Sequence, residues 1–301
     1  MYMNINQKRK KFDWHTLLFI LPAFLLYAGF VLFPAISSIY YSFTSWNGIE
    51  ENMNFIGISN YKELLDPGNI RFWGAIMRTF IVAIAAAIGN NIIALALAIL
   101  VDKVKILKGF FRSAFYIPVL ISGIVAGFIW KIMYNNNFGV FNRLLTVLGL
   151  ESLTNDWLGN PDTALLSLII TILWQGAGYY MIIYLAGLQS IPEELMEAAR
   201  IDGANSWQQF WRVTFPLLAG SITINMTLAL INGMKVFDQI NVMTSGGPGF
   251  ATETMTYYIY KVAFAEMRQG LGTAASIILF VLILIFNQIQ SRILRSREVE
   301  L

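Results

Sequence analysis

The residues best placed to do chemistry form one run, Glu197-Ala198-Ala199-Arg200-Ile201-Asp202-Gly203-Ala204, preceded by Glu193 and Glu194. Ser190, Pro192 and Glu193 predict a helix start, with a capping pair and a proline in the first turn. Gly203 predicts its stop, because glycine adopts the left-handed conformation that ends helices. Ser206 and Gln209 predict a second helix start, leading through Phe210, Trp211, Val213 and Phe215 to Pro216. One side of the first helix then carries Glu193, Glu194 and Glu197, and another carries small and apolar residues including Ala198 and Ala199. Such a surface suits a handle seated in a partner's groove. The competing reading is an amphipathic helix lying on the membrane. Its carboxylates disfavour that at an anionic leaflet, where surface helices favour Lys and Arg.

Other chemistry is excluded by what is missing. The sequence has 0 cysteines, so disulfides, thiolate metal sites and thiol catalysis are ruled out. Its 1 histidine, His15, lies beside the basic run Lys8-Arg9-Lys10-Lys11 and has no second imidazole to form a metal pair with. No G-x-x-x-x-G-K-[ST], G-x-S-x-G or H-E-x-x-H pattern occurs. The glycine-rich patch Ser245-Gly246-Gly247-Pro248-Gly249 lacks the lysine of a phosphate loop and reads as a tight turn. No cofactor is expected in this chain, and any ATP and Mg would be bound by a partner.

The elements that must hold the acidic run are membrane helices. The chain is 56% hydrophobic and 13% charged, with a mean hydropathy of +0.59, too little charge to cover a soluble surface of this length. Apolar runs long enough to cross a bilayer recur. Six spans are expected near residues 17–44, 72–101, 110–134, 163–188, 216–242 and 271–291, giving an all-α polytopic membrane protein. The first apolar run is too long for a secretory signal and reads as an uncleaved helix. Residues 1–16 form a basic N-terminus, and residues 17–301 a six-helix transmembrane domain with its acidic loop at 189–215. Lys and Arg are roughly twice as frequent in the N-terminus, the 102–113 link, the 189–215 loop and the tail as in the opposite loops. Both termini and the acidic loop are therefore expected in the cytoplasm, with the chain in the cytoplasmic membrane. Trp14, Trp46, Trp73, Trp130, Trp157, Trp207 and Trp211 fall near span ends, where indole prefers the headgroup layer, and Trp174 lies mid-span. A net charge of +3 gives no footing for nucleic acid.

Polar residues inside spans mark either a water-filled path or bonds between helices. The candidates are Asn90, Asn91, Ser122, Gly123, Gln175, Tyr179, Tyr180, Asn225 and Asn232. Amides and phenols suit an uncharged polyol, offering donors and acceptors with no net charge to desolvate. Trp174 and Tyr179 offer faces on which a sugar ring could stack. Gly176 and Gly178 either loosen the fourth helix or admit a close neighbour. Lys235 and Asp238, three apart, are helical neighbours that form an intrahelical pair or serve a gate or a contact with an external protein. A straight helix from Pro216 puts Lys235 about 28 Å along its axis.

The run from Glu197 to Pro216 resembles the EAA loop of binding-protein-dependent ABC importer permeases of the carbohydrate (maltose and glycerol-phosphate) type. Phe55-Ile56-Gly57-Ile58-Ser59-Asn60-Tyr61, Tyr116-Ile117-Pro118, Val236 through Pro248 and Thr252 through Tyr260 also resemble that family, especially its first, maltose-type subunit. The likeness covers nearly the whole chain. One departure is Gly220, where the family often has a second proline. The resemblance implies that the helix after Ser190 docks on a separate ATPase, with Glu197 making the polar contact. Ala198 and Ala199 would allow close approach, Gly203 would make the turn, and Glu193, Glu194 and Asp202 would belong to the same surface. It implies sugar contacts at Gly123, Gln175, Gly176, Tyr179, Asn232 and Gly233. The implied partners are a second homologous permease, two cytoplasmic ATPase subunits, an extracytoplasmic solute-binding protein and membrane lipid. The expected function is translocation of a sugar, oligosaccharide or related polyol, with no enzymatic activity in this chain. The alternative is a secondary transporter of a small polar solute, which would need ionisable groups in mid-span. A membrane enzyme lacks clustered catalytic groups.

Overall fold

A computed structural model describes residues 14–50 and 53–296, with side chains from residue 18 onward. The basic run at Lys8 to Lys11 and the side chains of Trp14 and His15 lie outside the described residues. The described chain is helical, with one isolated antiparallel bridge between Thr44 and Phe55.

The first span runs through α1 (Trp14–Tyr27), a π turn (Ala28–Leu32) and α2 (Phe33–Tyr41). None of its apolar stretch, Leu18–Tyr41, is buried within the chain, so lipid or another subunit must cover it. After α3 (Ser59–Leu65), α4 (Ile70–Lys103) is the central span, capped by the Asn69 side chain, which accepts from the Phe72 N–H at 3.1 Å. Its buried stripe is rich in alanine: Ala75, Ala83, Ala87, Ala94 and Ala98. Small residues let helix backbones approach where no water drives burial. The helix packs mainly on α8 (Pro161–Gln189) and α12 (Ala219–Met234), and the last span, α15 (Gln269–Arg295), closes the bundle.

Two expected spans are broken. The third consists of α5 (Lys108–Leu120) and α6 (Gly123–Met133), bent by 95° at Ile121 and Ser122. The backbone turns extended there, and Ser122 restarts the helix by accepting the Val125 N–H at 3.3 Å. Between α6 and α8 lie α7 (Val140–Val147) and a short 3-10 turn. The fifth span begins with α10 (Ser206–Gln209), a π turn (Phe210–Thr214) and α11 (Phe215–Leu217), then bends by 66° into α12. It breaks again at Lys235–Phe237 before α13 (Asp238–Met243), and α14 (Met255–Tyr260) leads to the last span. The acidic helix, α9 (Glu193–Ile201), stands between α8 and α10.

By contrast, α8 is continuous despite its glycines. A Cβ at Gly178 would collide with the Phe115 carbonyl, and one at Gly176 would sit 3.0 Å from the Asn90 amide oxygen. Close approach, not loosening, is their role. Trp130 is buried, stacked 5.6 Å from Phe141 and edge-on to Trp174 at 5.5 Å.

Candidate functional site

A cavity of about 430 Å³ opens where the broken helices meet α4 and α8. Gln175, Gly176 and Tyr179 of α8 and Asn232 and Gly233 of α12 line it, as do Asn90, Tyr180, Lys235 and Asp238. Ser122, Gly123 and Asn225 do not. Ser122 caps α6, and Gly123 packs against Asp238, where an added Cβ would sit 2.7 Å from a carboxylate oxygen. Asn225 is 0% exposed and donates to the Tyr180 carbonyl at 3.0 Å, a bond between α12 and α8. Asn91 of α4 bonds the neighbouring interface, accepting from the Tyr184 hydroxyl of α8.

Gln175 ties the broken spans together. Its amide nitrogen donates to the Ile121 carbonyl at 2.7 Å, the acceptor left orphaned where α5 stops. Its oxygen accepts from Gln239 of α13 at 2.6 Å. Interrupted backbone survives at membrane depth only where protein or a water-filled cavity satisfies it, and here a side chain does so. Nearby, Asn232 donates to the Tyr180 hydroxyl at 3.3 Å. Lys235 and Asp238 form no ion pair with each other, because the break at Lys235–Phe237 removes the helical spacing that would join them. The straight-helix placement of Lys235 fails because the 66° bend between α11 and α12 lies between Pro216 and Lys235.

The acidic hairpin lies at the opposite end of α8 and α12. Gly203 has φ +80°, and the Gly203 and Ala204 N–H groups donate to the Arg200 and Ala199 carbonyls at 3.0 and 2.9 Å. This paired closure is a Schellman motif. The expected Ser190 cap does not form. Ser190 ends α8 and donates back to the Gly187 carbonyl at 2.8 Å, while Pro192 stands at the start of α9. The second cap falls one residue earlier than expected: Asn205 and Gln208 make a reciprocal box with bonds of 2.9 Å each way. Glu193, Glu194, Glu197, Ala198, Asp202 and Gly203 are exposed and Ala199 is half-buried. Ile201 is 87% exposed and Trp207 70% exposed, an apolar surface beside the carboxylates. Behind them, Thr214 donates to the Met196 sulfur at 3.8 Å, and Trp211 packs on Phe215 at 5.0 Å.

A third constellation lies at the far end of the bundle and was not among the sequence candidates. Glu253 is 1% exposed and accepts from Arg71 through both oxygens, at 2.9 and 2.7 Å. Arg71 also donates to Glu266 at 2.7 Å and lies over the Phe250 and Tyr258 rings. Arg78 donates to the Glu253 backbone carbonyl at 2.9 Å. The available signal was Arg78, an arginine inside a span, which needs a buried partner. Next to this cluster, Arg268 makes a bidentate pair with Glu63 at 2.6 Å, which holds the Arg268 guanidinium above its ordinary pKa.

A family model described as the binding-protein-dependent transport system inner membrane component matches residues 90–299. The chain is 40% identical over 288 residues to the probable starch degradation products transport system permease protein AmyD of Thermoanaerobacterium thermosulfurigenes, covering 96% of each chain. It is 35% identical to the multiple sugar-binding transport system permease protein MsmF of Streptococcus mutans, covering 99% of this chain and 100% of that one. Its fold is similar to a chain in the crystal structure of a bacterial ABC transporter involved in the import of the acidic polysaccharide alginate. That match has a TM-score of 0.81 at 24% identity and covers 94% and 96% of the two chains.

Proposed function

This chain belongs to the family of binding-protein-dependent transport system inner membrane components, and from that membership we propose how its geometry moves a sugar. It is the membrane-spanning permease subunit of an ATP-driven importer of sugars, oligosaccharides or related polyols, and not an enzyme. Its partners are a second permease, two ATPase subunits and a solute-binding protein. ATP and Mg are bound by the ATPases. The hairpin end faces the cytoplasm with both termini, in line with the Lys and Arg bias, and the far end faces the binding protein.

The observation that carries the reading is a mechanical one. The exposed α9 follows α8 directly in the chain and packs on α10 and the π turn that lead through α11 into α12, and both α8 and α12 line the polar cavity farther along. A Cβ at Gly187 of α8 would sit 3.0 Å from Leu218, the fully buried bend residue before α12. Pulling on α9 therefore moves α8 and α12 together, a rigid-body change of access. Glu193, Glu194, Glu197 and Asp202 give the ATPase its polar contacts, Ala198 and Ala199 its close approach, and Gly203 the turn. Gln175, Gly176, Tyr179, Asn232 and Gly233 offer amides, a phenol and open backbone to a neutral polyol. Ser122, Gly123 and Asn225 support these walls. The bare α1 surface fits coverage by the second permease or lipid.

The test is uptake into proteoliposomes holding the complete transporter. Labelled oligosaccharide should accumulate only with ATP inside and binding protein outside. Accumulation driven by an ion gradient without ATP would overturn the reading and restore the secondary-transporter alternative.

A further inference from the structure

At the far end of the bundle, the segment 252–256 is pinned on both sides. On one side it meets α4: Arg71 and Arg78 hold Glu253, and the Met255 N–H donates to the buried Thr79 hydroxyl at 2.8 Å. On the other it meets the interruption of the fifth span. Thr256 donates to the Val236 carbonyl at 2.5 Å, and Thr254 reaches the same oxygen at 3.4 Å. Val236 lies in the non-helical step Lys235–Phe237 and lines the cavity. Its carbonyl has lost the helical ladder, and an orphaned carbonyl at this depth needs a partner. From the break, α13 continues through Gln239 to Gln175 and the Ile121 carbonyl.

We infer that Glu253 is a positioning residue: clamped by Arg71, it holds Thr254 and Thr256 against Val236 and so fixes the cavity wall at Lys235–Gln239. A charged pair is suited to this. A buried carboxylate whose partner is removed is strongly destabilised, so the segment has one seated arrangement and no intermediate one. The cluster touches neither the cavity nor the hairpin, and it acts only through the threonines. The inference rests on the cavity reading for its bearing on transport, but the position of the wall can be measured without transport.

The absence of cysteine makes the measurement direct. A single Lys235→Cys in the assembled transporter is modified by a membrane-permeant thiol reagent, alone and combined with Glu253→Gln or Thr256→Val. Each second substitution should raise the modification rate about tenfold, the shift produced by losing a bond of ~1.4 kcal/mol. The two together should raise it no further than one alone, and Glu253→Asp should restore part of the protection. Modification of Lys105→Cys, exposed in the α4–α5 link, should stay unchanged. An unchanged Lys235→Cys rate in an intact complex, or additive effects of the pair, would overturn the inference. If Glu253→Gln prevents assembly, Thr256→Val decides alone, because it leaves the ion cluster intact. A faster rate with unaltered uptake would leave the clamp standing and sink the cavity as the sugar's path.

Discussion

Replacing Gln175 by alanine removes two bonds at once, the 2.7 Å donation to the Ile121 carbonyl and the 2.6 Å acceptance from Gln239. The Ile121 carbonyl sits at a helix interruption, where no ladder bond can replace its partner, and Gln239 donates from its side chain at the start of α13. Each lost bond in a membrane interior is worth roughly 1 kcal/mol, so the two together are worth about 2 kcal/mol, or roughly 30-fold in the equilibrium that holds the broken spans. Gln175→Ala should therefore lower the melting temperature of the purified complex and raise the solute concentration giving half-maximal ATPase stimulation. Gln175→Glu sharpens the test. A carboxylate can still accept from Gln239, but it faces the Ile121 carbonyl with no proton to donate. At neutral pH it should be worse than alanine. As the pH falls, protonation restores an O–H donor and the defect should shrink. Equal melting temperatures and stimulation curves for wild type, Gln175→Ala and Gln175→Glu would refute the bridging role.

Asn225→Leu should lower stability by about 1 kcal/mol through loss of the bond to Tyr180, seen in thermal melts, and leave half-maximal uptake unchanged because Asn225 lines no cavity. Gly178→Val should abolish assembly, measured as complex recovered on purification, because the new side chain meets the Phe115 carbonyl. Gly203→Ala meets open space but must hold φ +80°, so it should cost about 1 kcal/mol of hairpin stability with transport reduced rather than lost. Arg268→Ala should change melting by well under 1 kcal/mol, since its pair with Glu63 is half exposed and screened by salt.

The apolar runs revealed four long apolar helices and two bent pairs, and the hairpin's helix–glycine–helix pattern was legible, because both are written in neighbouring residues. The interruptions were not. Pro118 and the Ser122–Gly123 pair flank Ile121, yet what holds each break in place lies elsewhere: Gln175 is 54 residues from Ile121 and Thr256 is 20 from Val236. The Glu253 clamp spans 182 residues and left only Arg78 as a trace. For the same reason the polar intramembrane residues divided as they did. Gln175, Tyr179 and Asn232 face the cavity and Asn225 bonds a neighbouring helix, a distinction set by helix rotation and bending that residue type does not encode. The Ser190 cap failed because α8 runs on to Gln189 and claims that serine for its own end.

Solute uptake by a complete transporter carrying Glu197→Lys tests most directly whether ATPase movement reaches the cavity through the hairpin. Glu197 is exposed and its side chain makes no bond among the described residues, so the reversed charge should spare folding and insertion. Uptake and solute-stimulated hydrolysis should both collapse while the purified subunit melts as wild type does. Wild-type uptake by the Glu197→Lys transporter would contradict the account.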